Sequence, residues 1–154
     1  MLSEGDSLPD VTLTGVDGAP LRLADYRGKP VVVYFYPKAD TPGCTTEAID
    51  FSGLIDEFGA LGVPVIAVSR DPVKKLARFA EKHGLSVTLA SDADESVCEA
   101  FGTWVEKSLY GRKYMGIERA TFLADKDGTI VKLWPKVKVK GHAAEVLAAV
   151  KALG

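Results

Sequence analysis

At 154 residues the chain has the length of one ordinary domain, and 47% hydrophobic with 26% charged residues excludes wholesale disorder and fibrous repeats. Nineteen Lys and Arg against 21 Asp and Glu leave a formal charge of −2, with the signs interspersed, so nothing in the balance invites nucleic acid or an anionic membrane. The longest apolar runs, Val31 to Tyr36 and Val63 to Val68, fall far short of the roughly 20 residues that a membrane-spanning helix needs. The start, Met-Leu-Ser-Glu-Gly-Asp, has neither a basic nor an apolar leader region, and a cytoplasmic location is expected. Two cysteines, Cys44 and Cys98, are too few for a disulfide framework or a four-thiolate zinc site.

In chain order, turn residues Gly15 to Gly18 suggest a small N-terminal hairpin. Val31 to Tyr36 and Val63 to Val68, β-branched and aromatic without polar alternation, read as strands buried on both faces. Between them Ala48, Phe51, Ile55 and Phe58 recur at helical spacing up to a stop at Gly59, which makes a βαβ unit with parallel strands. A second helix is expected from Pro72 to Gly84, a short strand over Val87 to Ala90, and a short helix capped by Asp92 or Asp94 and running through Phe101. Thr103 to Glu118, with Gly111 and Gly116, reads as a long loop in which Trp104 and Tyr110 pack. Ala120 to Ala124 and Thr129 to Trp134 flank Asp125-Lys-Asp-Gly128, a hairpin signal, and a closing helix carries Val146, Leu147 and Val150. The expectation is a single α/β domain over residues 1–154, with a central mixed sheet flanked by helices and an N-terminal hairpin extension.

The chemistry concentrates at Cys44, which follows Pro37-Lys-Ala-Asp-Thr-Pro-Gly43 at the carboxyl end of the first buried strand and opens the next helix. Helix starts offer unpaired N–H groups and a partial positive charge, which favour a thiolate. Cys44 shares a helical face with Ala48, Phe51, Ile55 and Phe58, so its sulfur should point into the protein at the base of a pocket. A buried cysteine acting as a small hydrophobe is the competing reading.

The pattern Pro37-x-x-x-Thr41-x-x-Cys44, after a buried strand and at a helix start, resembles the active-site signature of the peroxiredoxins, thiol peroxidases on a thioredoxin-like fold. The stretch Tyr34 to Ala48, then Ser69-Arg-Asp71, Leu89-Ala-Ser-Asp92 and Gly116-Ile-Glu-Arg119-Ala-Thr-Phe, is similar to the peroxiredoxin Q, or bacterioferritin comigratory protein, branch over nearly the whole chain. The resemblance implies that Cys44 attacks the O–O bond of hydrogen peroxide or an organic hydroperoxide, that Thr41 orients the peroxide, that Pro37 shields the thiolate, and that Arg119 stabilises charge. It implies no cofactor or metal. Electrons would return from an external thiol such as thioredoxin, glutaredoxin or a small thiol, to a monomer or weak dimer.

The sequence departs from that branch where resolving cysteines are often found, five residues after the nucleophile and in the next helix. Those places hold Ile49 and Ala80. A one-cysteine-like cycle is therefore expected, the alternatives being a resolving role for Cys98, which otherwise reads as a packed thiol, or a non-enzymatic binding or holdase protein. Thiol–disulfide exchange would need C-x-x-C, which Gly43-Cys44-Thr45-Thr46-Glu47 lacks. His83 and His142 both read as ordinary surface histidines, one at a helix C-terminus and one near a helix start.

Overall fold

The structure is a computed structural model, and it describes residues 1–153. In chain order it has strands β1 (Thr12–Gly15), β2 (Pro20–Arg22) and β3 (Val31–Phe35), and then helices α1 (Pro42–Gly53) and α2 (Ile55–Ala60). There follow β4 (Val65–Ser69), α3 (Val73–His83), β5 (Thr88–Ser91), α4 (Ser96–Phe101), β6 (Trp104–Leu109), β7 (Arg112–Ile117), β8 (Ala120–Ala124), β9 (Ile130–Trp134) and α5 (His142–Ala152). Seven strands form one mixed sheet in the order β2-β1-β5-β4-β3-β8-β9. The central β5, β4 and β3 are parallel, as the crossovers through α1, α2 and α3 demand, and the flanking strands are antiparallel. This is the thioredoxin-like arrangement expected from the sequence.

Successive residues of β3 point to opposite faces, and the core divides accordingly. Val32, Tyr34 and Tyr36 pack with Cys44, Phe51, Phe58, Leu76, Phe79 and Val146 beneath α1, α2, α3 and α5. Val31, Val33 and Phe35 pack with Val97, Cys98, Phe101 and Phe122 beneath α4. The two thiols therefore lie on opposite sides of the sheet.

Three local expectations are corrected. The single helix up to Gly59 is interrupted at Leu54, whose backbone leaves the helical region (φ −106°, ψ 5°), so that α2 restarts on the same apolar face with Phe58. The segment 103–118 is a two-stranded antiparallel ribbon, β6 with β7, and not a loop. Its two-residue turn holds Tyr110 and Gly111, both at positive φ (51° and 78°), as a type I′ turn requires. The ribbon stands apart from the main sheet, so neither face is fully covered and no hydrophobic alternation marks it. Trp104 does pack, under the Arg70 guanidinium at 3.8 Å, but Tyr110 is 97% exposed at the tip.

His142 is the third correction: it is buried at the start of α5, its Nε2 2.7 Å from the Thr121 hydroxyl and its ring set edge-on to Phe51 and Trp134. Trp134 and Phe51 close over a position that sequence alone places near a polar helix start. Burial pushes its pKa down from 6.5 to about 4. Between those values the unfolded chain binds the extra proton, so this contribution to stability is lost as pH falls. His142→Gln is expected to remove that dependence: relative to the variant, wild type should lose roughly 2–3 kcal/mol between pH 7 and 4 in urea unfolding.

Candidate active site

Because β8 runs antiparallel to β3, with Phe35 opposite Ala120, the chain entering β8 lies beside the chain leaving β3. That register brings Arg119, immediately before β8, to the first turn of α1, 75 residues away in sequence from Cys44. Thr41 is the N-cap of α1 and Pro42 opens its first turn, where a missing N–H costs nothing. Cys44 follows within that turn and is only 2% exposed.

Arg119 spans two groups on α1. Its Nη2 donates to Cys44 Sγ at 3.2 Å and its Nη1 to Glu47 Oε1 at 2.7 Å. The planar fork suits this double task, since its donors are fixed in direction. Gly43 makes room for it: a Cβ at that position would sit 3.3 Å from Arg119 Nη2. The arrangement is a thiol with a permanent cation against its sulfur at the start of a helix, and it can hold a thiolate and stabilise negative charge on a group that the sulfur attacks.

Glu47 is the site residue that the sequence reading missed. It lies one turn beyond Cys44 on the helical face occupied by Cys44, Ala48 and Phe51, is 1% exposed, and leaves Oε2 buried without a protein partner. The available signal was a carboxylate at an otherwise apolar i+3 position. Burial raises its pKa from 4.5 to about 7, although the Arg119 guanidinium pulls the other way. The hydroxyl of Tyr34, also buried without a hydrogen-bond partner among the described residues, sits on the same side of the sheet, and Tyr34 stacks on Phe51 at 4.6 Å.

The loop from Pro37 to Thr41 is held from outside. Ala39 N–H donates to Asp71 Oδ2 at 2.7 Å, and Asp40, at φ 64°, is met by Lys82 at 2.9 Å and His83 at 2.8 Å from the end of α3. His83 thus lies at the helix C-terminus as expected, with its ring against Asp40. These contacts lower the pKa of Asp40, through the His83 hydrogen bond first and Lys82 next. The Thr41 hydroxyl donates to the Lys38 carbonyl at 2.8 Å, and Pro37 is exposed. Cys98 is fully buried in α4, where the Asp92 carboxylate accepts the N–H groups of Val97 and Cys98 at 3.1 and 2.7 Å, and burial together with that carboxylate pushes its thiol pKa far up. Ile49 is 46% exposed on α1, and Ala80 is half-buried on α3.

Glu47 carries a pH signature opposite in sign to that of His142. Its folded pKa lies above the unfolded 4.5, so its contribution is complete below pH 4.5 and lost as pH rises through about 7. Glu47→Gln is expected to remove this fall. Because the two windows overlap, His142→Gln should reveal a stability that decreases between pH 5 and 7, measured by urea midpoints, where wild type is flatter.

Comparison with known proteins bears directly on this geometry. The AhpC/TSA family matches residues 5–133. A putative peroxiredoxin bcp of Coxiella burnetii is 49% identical over 143 residues, covering 93% of this chain and 95% of that protein. Peroxiredoxin Bcp of Bacillus subtilis is 48% identical over 147 residues, covering 96% and 94%. Among solved structures, the bacterioferritin comigratory protein of Xanthomonas campestris, described for its alkyl peroxide reduction activity, superimposes with a TM-score of 0.91 at 45% identity, covering 97% of this chain and 98% of that one. With likeness of sequence and of fold extending from end to end, the chain belongs to the AhpC/TSA family as a peroxiredoxin of the Bcp, or peroxiredoxin Q, branch, a thiol-dependent peroxidase.

Proposed function

We propose that Cys44 is the peroxidatic nucleophile and that it works in a one-cysteine cycle, reducing hydrogen peroxide and alkyl hydroperoxides. The observation that carries the reading is the contact of Arg119 Nη2 with Cys44 Sγ at 3.2 Å, at a cysteine that is only 2% exposed in the first turn of α1. The thiolate attacks the terminal peroxide oxygen, an S–O bond forms as the O–O bond breaks, and the departing alkoxide or hydroxide takes up a proton to leave as alcohol or water. Arg119, with Nη2 against the sulfur, is placed to stabilise the charge on the departing oxygen. With its own proton committed to Lys38, the Thr41 oxygen is free to accept a hydrogen bond from the peroxide. Pro37, carried by the family motif, is assigned the role of limiting water at the sulfur. The activity of the Xanthomonas relative supports an organic hydroperoxide substrate.

Several features favour an external thiol for the return half. Cys44 and Cys98 face opposite sides of the sheet, and full burial disfavours a Cys98 thiolate. Ile49 projects from an unbroken helix away from the buried face that holds Cys44. The reductant class is a thioredoxin- or glutaredoxin-type protein or a small thiol, and two free cysteines accord with a reducing, cytoplasmic setting.

Arg119→Lys keeps the charge but loses the fork, and should lower the single-turnover rate with peroxide on the order of 10²–10³-fold. A rate within a few-fold of wild type would remove Arg119 from the chemistry. Cys98→Ser should retain steady-state turnover with an external dithiol, and excess peroxide should carry Cys44 to the sulfinic acid, a gain of 32 Da by mass spectrometry as roughly two oxygen atoms are added. A Cys44–Cys98 disulfide formed on the turnover timescale, and lost together with activity in Cys98→Ser, would overturn the one-cysteine cycle.

A further inference from the structure

The interspersed charge of the chain as a whole conceals one segment where it fails. Between Asp127 and Glu145 there is no acidic residue, and Lys132, Lys136, Lys138 and Lys140 all fall there. The last three alternate with Val137 and Val139 along the strap joining β9 to α5. The valines are half-buried and the lysines exposed, so the three ammonium groups are directed outward. The strap is anchored at the active site itself: the Val137 N–H donates to the Arg119 carbonyl at 2.9 Å, and the His142 N–H to the Val139 carbonyl at 3.1 Å. With Trp134 and the first turn of α5 it encloses a depression of about 360 Å³. The carboxylate on the rim, Glu145, is engaged by Trp134 Nε1 at 3.0 Å. None of the four ammonium groups has a carboxylate within 4.0 Å among the described residues.

We infer that this lysine strap is the landing surface for the thiol reductant, and that the reductant is a protein dithiol with acidic side chains around its reactive sulfur. The inference rests on the proposal that an outside thiol regenerates Cys44. Of the two substrates of such a cycle, hydrogen peroxide and alkyl hydroperoxides are neutral and gain nothing from a field of fixed cations. The reductant is the substrate that can use it. A net charge of −2 would otherwise repel an acidic partner, and a local positive surface beside the site reverses that, raising encounter rates by about 10- to 10³-fold in comparable steered systems. Cations spread from Lys132 to Lys140 match the extent of a protein face better than the one or two charges of a small thiol.

Once docked, a reductant thiolate attacks the sulfur of Cys44–SOH. An S–S bond forms, the S–O bond breaks, and the hydroxide leaves as water with a proton. The second reductant thiol then attacks the reductant's own sulfur in that bond, releasing the Cys44 thiolate and an oxidised dithiol.

The test combines Lys136→Glu, Lys138→Glu and Lys140→Glu in one variant, with the corresponding triple Lys→Gln variant as a milder version. Both positions and charges are exposed, and far-UV circular dichroism with urea midpoints checks the fold. Reduction of peroxide-oxidised protein is timed with dithiothreitol, with a dithiol peptide flanked by glutamates, and with its lysine-flanked counterpart. The triple Glu variant should react about 10- to 100-fold more slowly than wild type with the glutamate peptide and faster with the lysine peptide, and equally with dithiothreitol, the Gln variant falling between. The wild-type rate with the glutamate peptide should drop as salt is raised, and the wild-type rate with dithiothreitol should not. An unchanged rate with the glutamate peptide, or an equal loss with all three reductants, overturns the inference. So does a slowed peroxide step in single turnover without reductant, since the lysines would then serve the other substrate. Failure of the one-cysteine reading has a different signature, an internal disulfide in wild type, whichever peptide is used.

Discussion

Everything at the site depends on one guanidinium held between two buried groups of the same helix. Taking the charges of Arg119 and Glu47 out of water is costly, and the pair persists because the fork meets Glu47 and Cys44 at once in fixed geometry. The arrangement depends on β8 running antiparallel to β3, and Gly43 leaves space where a Cβ would sit 3.3 Å from the fork. Helix start, sheet topology and a missing Cβ therefore converge on the same atoms. Glu47 is central to this, and its burial raises its proton affinity even beside a cation.

The sheet acts as a partition between two thiols of opposite character. On one side Cys44 sits at a helix start with a cation against its sulfur; on the other, Cys98 is enclosed by Phe101, Phe122 and their neighbours, with the Asp92 carboxylate close by. The same side chain meets a guanidinium on one side of the sheet and a carboxylate with full burial on the other. That division is what the proposed one-cysteine cycle rests on.

Legibility in the sequence follows the range of the interactions involved. The buried strands, the helix start at Cys44, the Gly84 stop and the Asp125 turn are set by neighbouring residues, and all were readable. Arg119 was reachable only through family resemblance, because its position depends on a strand pairing across the sheet. His142 read as an ordinary surface residue near a helix start and Glu47 was not singled out; packing from Phe51 and Trp134 buries the first, and the second is buried in α1. The β6–β7 ribbon escaped notice because both its faces meet solvent, which removes the period-two signal, while Gly111 and Gly116 suggested a loop.

That ribbon is also clamped at its base. Glu118 N–H donates to the Thr103 carbonyl at 2.7 Å, and Thr103 is tied in turn to the Cys98 carbonyl through its N–H and its hydroxyl. Arg119 follows directly, so it leaves the ribbon at its clamped foot and not at its tip. The outer turn at Tyr110 and Gly111, exposed and at the far end of both strands from that clamp, is the kind of place where proteins absorb added length.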